Sequence, residues 1–223
     1  MLSITVNSYL DNTIADSYTT LREAIIAANA NSDLTTIEFD PSVFDGTNDI
    51  TLSSQLSITE DIEIIGLGDD NVIIDADGNS RVFWILCGEA TISGMTITNG
   101  RVDVDMEGGA VYVDCDSTLN INNSTISNSR TGSEPGGGIY GEDDTEINIY
   151  NSSIIGNTVP WNYGGGIWTD GTLNVVNSLI SGNTAIRGGG IYGNPYAEID
   201  LINTTIAGNK ASSALSALRI GVD

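Results

Sequence analysis

Apolar and polar residues alternate with a period of two along most of this chain, in short runs. Leu119-Asn120-Ile121 and Leu173-Asn174-Val175 show the pattern, with Gly, Asn and Asp between the runs. Runs of this kind, rich in Ile, Val and Thr, predict short β-strands with one buried face. The runs recur as a unit. A glycine block followed by Ile and an aromatic residue stands at Gly136-Gly137-Gly138-Ile139-Tyr140, Gly164-Gly165-Gly166-Ile167-Trp168 and Gly188-Gly189-Gly190-Ile191-Tyr192. An eroded copy, Gly108-Gly109-Ala110-Val111-Tyr112, precedes them. Equivalent residues lie 24 to 29 positions apart, the spacing of a solenoid coil.

Each unit holds three such runs, and the turns between them are too brief to reverse direction within a sheet. This predicts an all-β fold, a right-handed single-stranded parallel β-helix with three short strands per coil. Each strand would pair with its equivalent one coil away, about 4.8 Å along the axis. Residues 1–60 depart from the pattern and read as an N-terminal cap continuous with the solenoid. The cap holds the strand Ile4-Thr5-Val6 and one amphipathic helix over residues 21–30. Thr20 and Glu23 fit a capping box, and Leu21, Ala24, Ile25 and Ala28 form one apolar stripe. An open solenoid end exposes core and unpaired strand edges, which such a helix would cover.

Coils are expected over residues 61–223. At the far end the glycine block gives way to Ser and Ala, with Leu218 expected where earlier coils have the core Ile. The array there reads as truncated, or as covered by something outside this sequence. Two sets of Asn recur at turns, Asn123, Asn151, Asn177 and Asn203, then Asn157, Asn183 and Asn209. Stacked Asn residues tolerate left-handed backbone and pass hydrogen bonds from coil to coil.

Charge narrows the partners. Seven basic residues face thirty acidic ones, with no His, for a net charge of −23. Such a surface repels nucleic acid and anionic lipid, and stacking coils should align like charges in columns. No run of eighteen apolar residues is present, so direct membrane insertion of this segment is not expected. The N-terminus, Met1-Leu2-Ser3-Ile4-Thr5, lacks the basic and apolar regions of a signal peptide. The chain is then cytosolic, or an excised piece of a larger secreted one. Cys87 and Cys115 lie one coil apart, as a disulfide rung or as two packed thiols.

The segment Thr5-Val6-Asn7, Asp11 and Thr19-Thr20-Leu21-Arg22-Glu23-Ala24-Ile25, with Ala27-Ala28-Asn29, resembles the CSLREA segment that opens many bacterial secreted and surface β-helix proteins. Thr19 stands where that family has Cys. The Gly-Gly-Gly-Ile-Tyr and Asn-Ser-Thr-Ile-Ser units resemble the repeats of polymorphic outer-membrane and choice-of-anchor proteins. The resemblance covers nearly the whole chain. It implies an extracellular or cell-surface bacterial location, membership of a larger chain, and an adhesive or structural role.

Three candidate chemistries remain. If the core Ile of each glycine block points inward, the residues after it point outward, so Trp84, Tyr112, Tyr140, Trp168 and Tyr192 would form an exposed ladder. Flat aromatic faces pack against sugar rings, which makes carbohydrate, on a host or neighbouring cell, the expected ligand. The alternative is ring stacking that stabilises the sheet, or cover from the loops before each block. Acidic groups at Asp103, Asp105 and Glu107, at Asp114 and Asp116, and at Glu142, Asp143 and Asp144 make calcium the candidate cation, against a solvated acidic face. Finally, parallel β-helices of the pectin-lyase-like type include polysaccharide lyases and hydrolases. The regular coils here show no interruption of the sort a catalytic site makes, so an enzyme is the second reading.

Overall fold

The computed structural model describes residues 2–45, 49–103, 105–114, 116–213 and 218–220. The chain winds as a parallel β-solenoid of about six turns, with one strand of each coil in each of three parallel sheets. The first wall has eight strands, from Leu2–Val6 and Thr35–Phe39 through Ile62–Ile65 to Glu198–Ile202. The second runs in seven strands from Ile50–Thr51 to Thr205–Ala207, and the third in seven from Leu56–Ile58 to Leu218–Ile220. The first wall thus begins at Leu2–Val6, and the other two begin at Ile50–Thr51 and Leu56–Ile58.

Register explains why alternation builds walls. Ile64, Ile92, Ile121, Ile149, Val175 and Leu201 pair in succession along the first wall. Val111, Ile139, Ile167, Ile191 and Leu218 do so along the third. A slip by one residue would turn every one of these side chains to water. Burial of the column is therefore what holds the register, and Ile139, Ile167 and Ile191 are fully buried on neighbouring coils.

The glycine blocks are steric. A Cβ on Gly137 would lie 2.4 Å from the Gly165 carbonyl oxygen of the next coil. Gly136 sits at φ 75°, a left-handed conformation that a side chain resists. These two demands bring successive coils into contact at the corner before the third wall.

The two Asn sets prove to be different devices. Asn123, Asn151, Asn177 and Asn203 hold φ between 47° and 52° at the corner between the first and second walls. Asn157 and Asn183 are fully buried instead, and their amides form a ladder through Asn209. Like charges stack less than the composition suggests. On the first wall Glu89, Thr118, Glu146, Thr172 and Glu198 share one column. Carboxylates there occupy alternate coils, and Asn120 and Asn148 donate to two of them.

The cap is knitted together by its loop and helix. The helix α1 spans Leu21–Ala28 and ends at Asn29, inside the expected 21–30. The Glu23 backbone N–H donates to Thr20 Oγ1, and the Glu23 carboxylate accepts from the Thr20 N–H. Leu21, Ala24, Ile25 and Ala28 are the buried face. Arg22 pairs with Asp11 at 2.7 Å and donates to the Ser54 and Gln55 carbonyls. Asn29 exchanges hydrogen bonds with Ser57 and Thr59. Loop, helix and first full coil are thereby fastened together.

Candidate functional site

The third wall places Trp84, Tyr112, Tyr140, Trp168 and Tyr192 in one column, each paired in register with the next. Ser57 and Arg219 occupy the same position in the coils at either end. Strand alternation sends all five rings outward, as expected.

They are not, however, an open row of ring faces. Coils lie about 4.8 Å apart, close to the separation of stacked rings, so the rings lie on one another. Tyr112 and Tyr140 stack at 5.2 Å and 18°, and Tyr140 and Trp168 at 4.4 Å and 6°. Their faces are spent on each other, and what remains outward is an edge. Loop residues ahead of the glycine blocks then cover the column. Arg81 lies 5.5 Å from the Trp84 ring centre and 5.0 Å from that of Tyr112. Trp84 breaks the stack, meeting Tyr112 edge-on at 85°. At the other end Tyr163 stacks on Tyr192 at 4.8 Å, with Arg187 over Tyr163. Tyr140 and Tyr192 retain only 8% exposure each. The exposed ladder is corrected to a half-buried, covered stack.

Acidic groups gather over this stack. The Tyr112 hydroxyl donates to a Glu142 carboxylate oxygen at 2.6 Å, and Arg81 donates to the Glu107 carbonyl at 3.0 Å. Burial pushes the Glu107 carboxyl above its usual value, and the nearby Glu134 and Glu142 push the same way. Burial also raises the Tyr112 and Tyr140 hydroxyls, with Glu142 adding to it in both. Both phenols therefore stay protonated. Arg81 is 6% exposed, and its Nε and the Trp84 Nε1 are buried without a hydrogen-bond partner.

Among the described residues no three Asp, Glu, Cys or His side chains converge where a metal could sit. Glu142 is turned to Tyr112 and Asp103 to Arg101. Around the first wall's leading edge, Asp143, Asp144, Glu146, Asp170, Glu198 and Tyr196 line a shallow polar hollow of about 390 Å³. Cys87 is exposed, and Cys115 lies outside the described residues.

Sequence reasoning missed two residues that the fold exposes. Trp161 is 73% and Tyr196 87% solvent-exposed. Both sit in loops outside the repeating columns, and the signal was their irregularity. The chain takes five steps from Thr158 to Tyr163 but three from Thr184 to Arg187, although both pairs are bridged in register. The coil before also takes five, from Arg130 to Pro135, so the loop that carries Pro160-Trp161 is two residues longer only than the one after it. No family model, curated protein or solved structure matches the chain.

Proposed function

We propose that this chain is a non-catalytic, adhesive and structural segment of a bacterial cell-surface or secreted protein, of the CSLREA-bearing kind its N-terminus resembles, and that it contacts carbohydrate. The observation that carries the reading is the unbroken register of the first wall, from Leu2–Val6 to Glu198–Ile202, alongside the ring stack of the third. A wall of this kind transmits load along its axis and presents long, repetitive sides. Fold by itself does not fix function, so the test is direct. The folded chain is passed over a panel of immobilised polysaccharides, and retention on at least one is expected. Failure to bind any of them would leave only the role of spacer.

One observation favours a second reading, a polysaccharide lyase or hydrolase. Glu107, with its raised carboxyl, lies near the carboxylates of Glu134 and Glu142. Glycoside hydrolysis uses one protonated and one ionised carboxyl. Release of reducing ends or unsaturated products from a polysaccharide, abolished by Glu107→Gln, would establish this reading over the first.

A further inference from the structure

Cations are scarce in this chain, and four of the seven are committed to packing. Arg22 pairs with Asp11. Arg81, Arg187 and Arg219 lie over rings of the covered stack. The other three are exposed and fall in one column. Arg101 pairs in register with Arg130, Arg130 with Thr158, Thr158 with Thr184, and Thr184 with Lys210. Like charges one coil apart repel, and Arg101 and Arg130 occupy adjacent coils. Arg101 has Asp103 at 3.3 Å. Among the described residues, Arg130 and Lys210 form no ion pair, in a chain with thirty carboxylates.

The surroundings explain that isolation. Residues 117–133, 151–169, 171–197 and 201–213 contain no Asp or Glu. They include the second-wall strands Thr125–Ser127, Ser153–Ile155, Leu179–Ser181 and Thr205–Ala207 and the corner after each. The acids of the same coils lie on the first wall's edge and beside the ring stack. In the coils before them Asp77 lines a hollow with Arg101 and Arg130, and Thr125 donates to Asp69. At physiological salt charges are screened over about 8 Å, so this face acts on a ligand by its own sign and not by the net −23. Three residues after Thr158 of this column the loop carries Trp161, whose indole is 73% exposed. Asn162, next to it, is fixed by donating to the Ser133 carbonyl at 3.0 Å.

We propose that this face, and not the covered ring stack, holds a linear polysaccharide bearing carboxylates, with Trp161 against a sugar ring and Arg130 and Lys210 taking its acidic groups. Arg130 and Lys210 are three coils apart, about 14 Å at ~4.8 Å per coil, so the ligand lies along the axis and spans several sugars. Thr158 and Thr184, between the two cations, offer hydroxyls of the kind that sugar hydroxyls pair with. The guanidinium fork of Arg130 matches a carboxylate. A nucleic-acid strand fits less well, since one exposed indole and two or three cations do not form a stacking and phosphate track.

The inference rests on the carbohydrate reading above, and the test separates the two. Binding of polygalacturonate oligomers, neutral dextran and an oligonucleotide is measured by calorimetry at low and high salt. Wild type is compared with Trp161→Ala, with Arg130→Glu/Lys210→Glu, and with Tyr140→Ala as the ring-stack control. All three site residues are exposed or half-exposed, so folding is expected to survive, and circular dichroism checks it. Trp161→Ala should weaken uronate binding about tenfold at either salt, as loss of an aromatic contact does. The charge reversal should abolish it at low salt and remove the salt dependence. Wild-type binding that both variants leave unchanged would overturn this site while the carbohydrate reading stands. Tighter binding of dextran or the oligonucleotide would overturn the ligand class. No binding to any polysaccharide would remove both.

Discussion

Replacing Asn183 with Ala should be among the most damaging single changes in the solenoid. The side chain is fully buried. Its Nδ2 donates to the Ile154 carbonyl at 2.8 Å and to Asn209 Oδ1 at 2.9 Å. Its Oδ1 accepts from the Asn157 backbone N–H at 2.8 Å and from Asn157 Nδ2 at 3.1 Å. Truncation strips the side-chain partner from two buried backbone groups, both on the preceding coil. Each costs about 1–3 kcal/mol when left unpaired, which sets the expected loss at about 2–6 kcal/mol, lower if water enters. Equilibrium urea unfolding followed by circular dichroism measures it, with the slope checked because solenoids can melt coil by coil. The control is Asn151→Gly, at φ 51° on the exposed corner, where Gly adopts the same backbone and the change should stay within about 1 kcal/mol. A loss below about 1 kcal/mol for Asn183→Ala, or one no larger than the control, would refute the buried-ladder account.

Three further outcomes are expected. Gly137→Ala drives a Cβ to 2.4 Å from the Gly165 carbonyl oxygen, so it should cost at least the ~1–3 kcal/mol of an overpacked site, and an unchanged Tm would count against the close-approach argument. Asp11→Asn tests the cap: burial pushes the Asp11 carboxyl up, but hydrogen bonds from Arg22 and Ser53 outweigh it and hold the group below 3.8. Its contribution is therefore present above the unfolded value and lost as pH falls through the folded one. The variant should lose about 1.5–3 kcal/mol at neutral pH, with the gap closing in acid; a gap independent of pH in urea melts would contradict this. Tyr140→Ala removes the ring between Tyr112 and Trp168, and should cost about 2–4 kcal/mol for a largely buried aromatic and flatten the near-ultraviolet dichroism, whereas an unaltered spectrum would mean the stack is not ordered.

Much of the wall was legible in the residues because its causes are local and repeated. The alternation in Leu119-Asn120-Ile121, with the Gly-Gly-Gly-Ile-aromatic spacing, fixes both strand and register, since one inward column must stay apolar. Thr20 and Glu23 announced the helix start for the same reason. The site was less legible. Alternation gives the ring column an outward direction, but the cover comes from Arg81 over Trp84 and Tyr112 and from Tyr163 over Tyr192, which lie in loops with no periodicity. The two Asn sets look alike in sequence, yet only the three-dimensional corner decides that Asn151 turns the chain while Asn183 is buried. The cation column could have been found by aligning the coils on the repeat, because Arg130 and Lys210 share it only once the coils are aligned.

The loop at Pro160-Trp161 is two residues longer than its counterpart in the coil after it, yet the bridges Thr158 to Thr184 and Tyr163 to Arg187 hold on either side of it. Chain length at that corner is decoupled from the walls. A foreign peptide spliced between Val159 and Asn162 would be displayed on a rigid stem, and the stem would not need redesign to carry it.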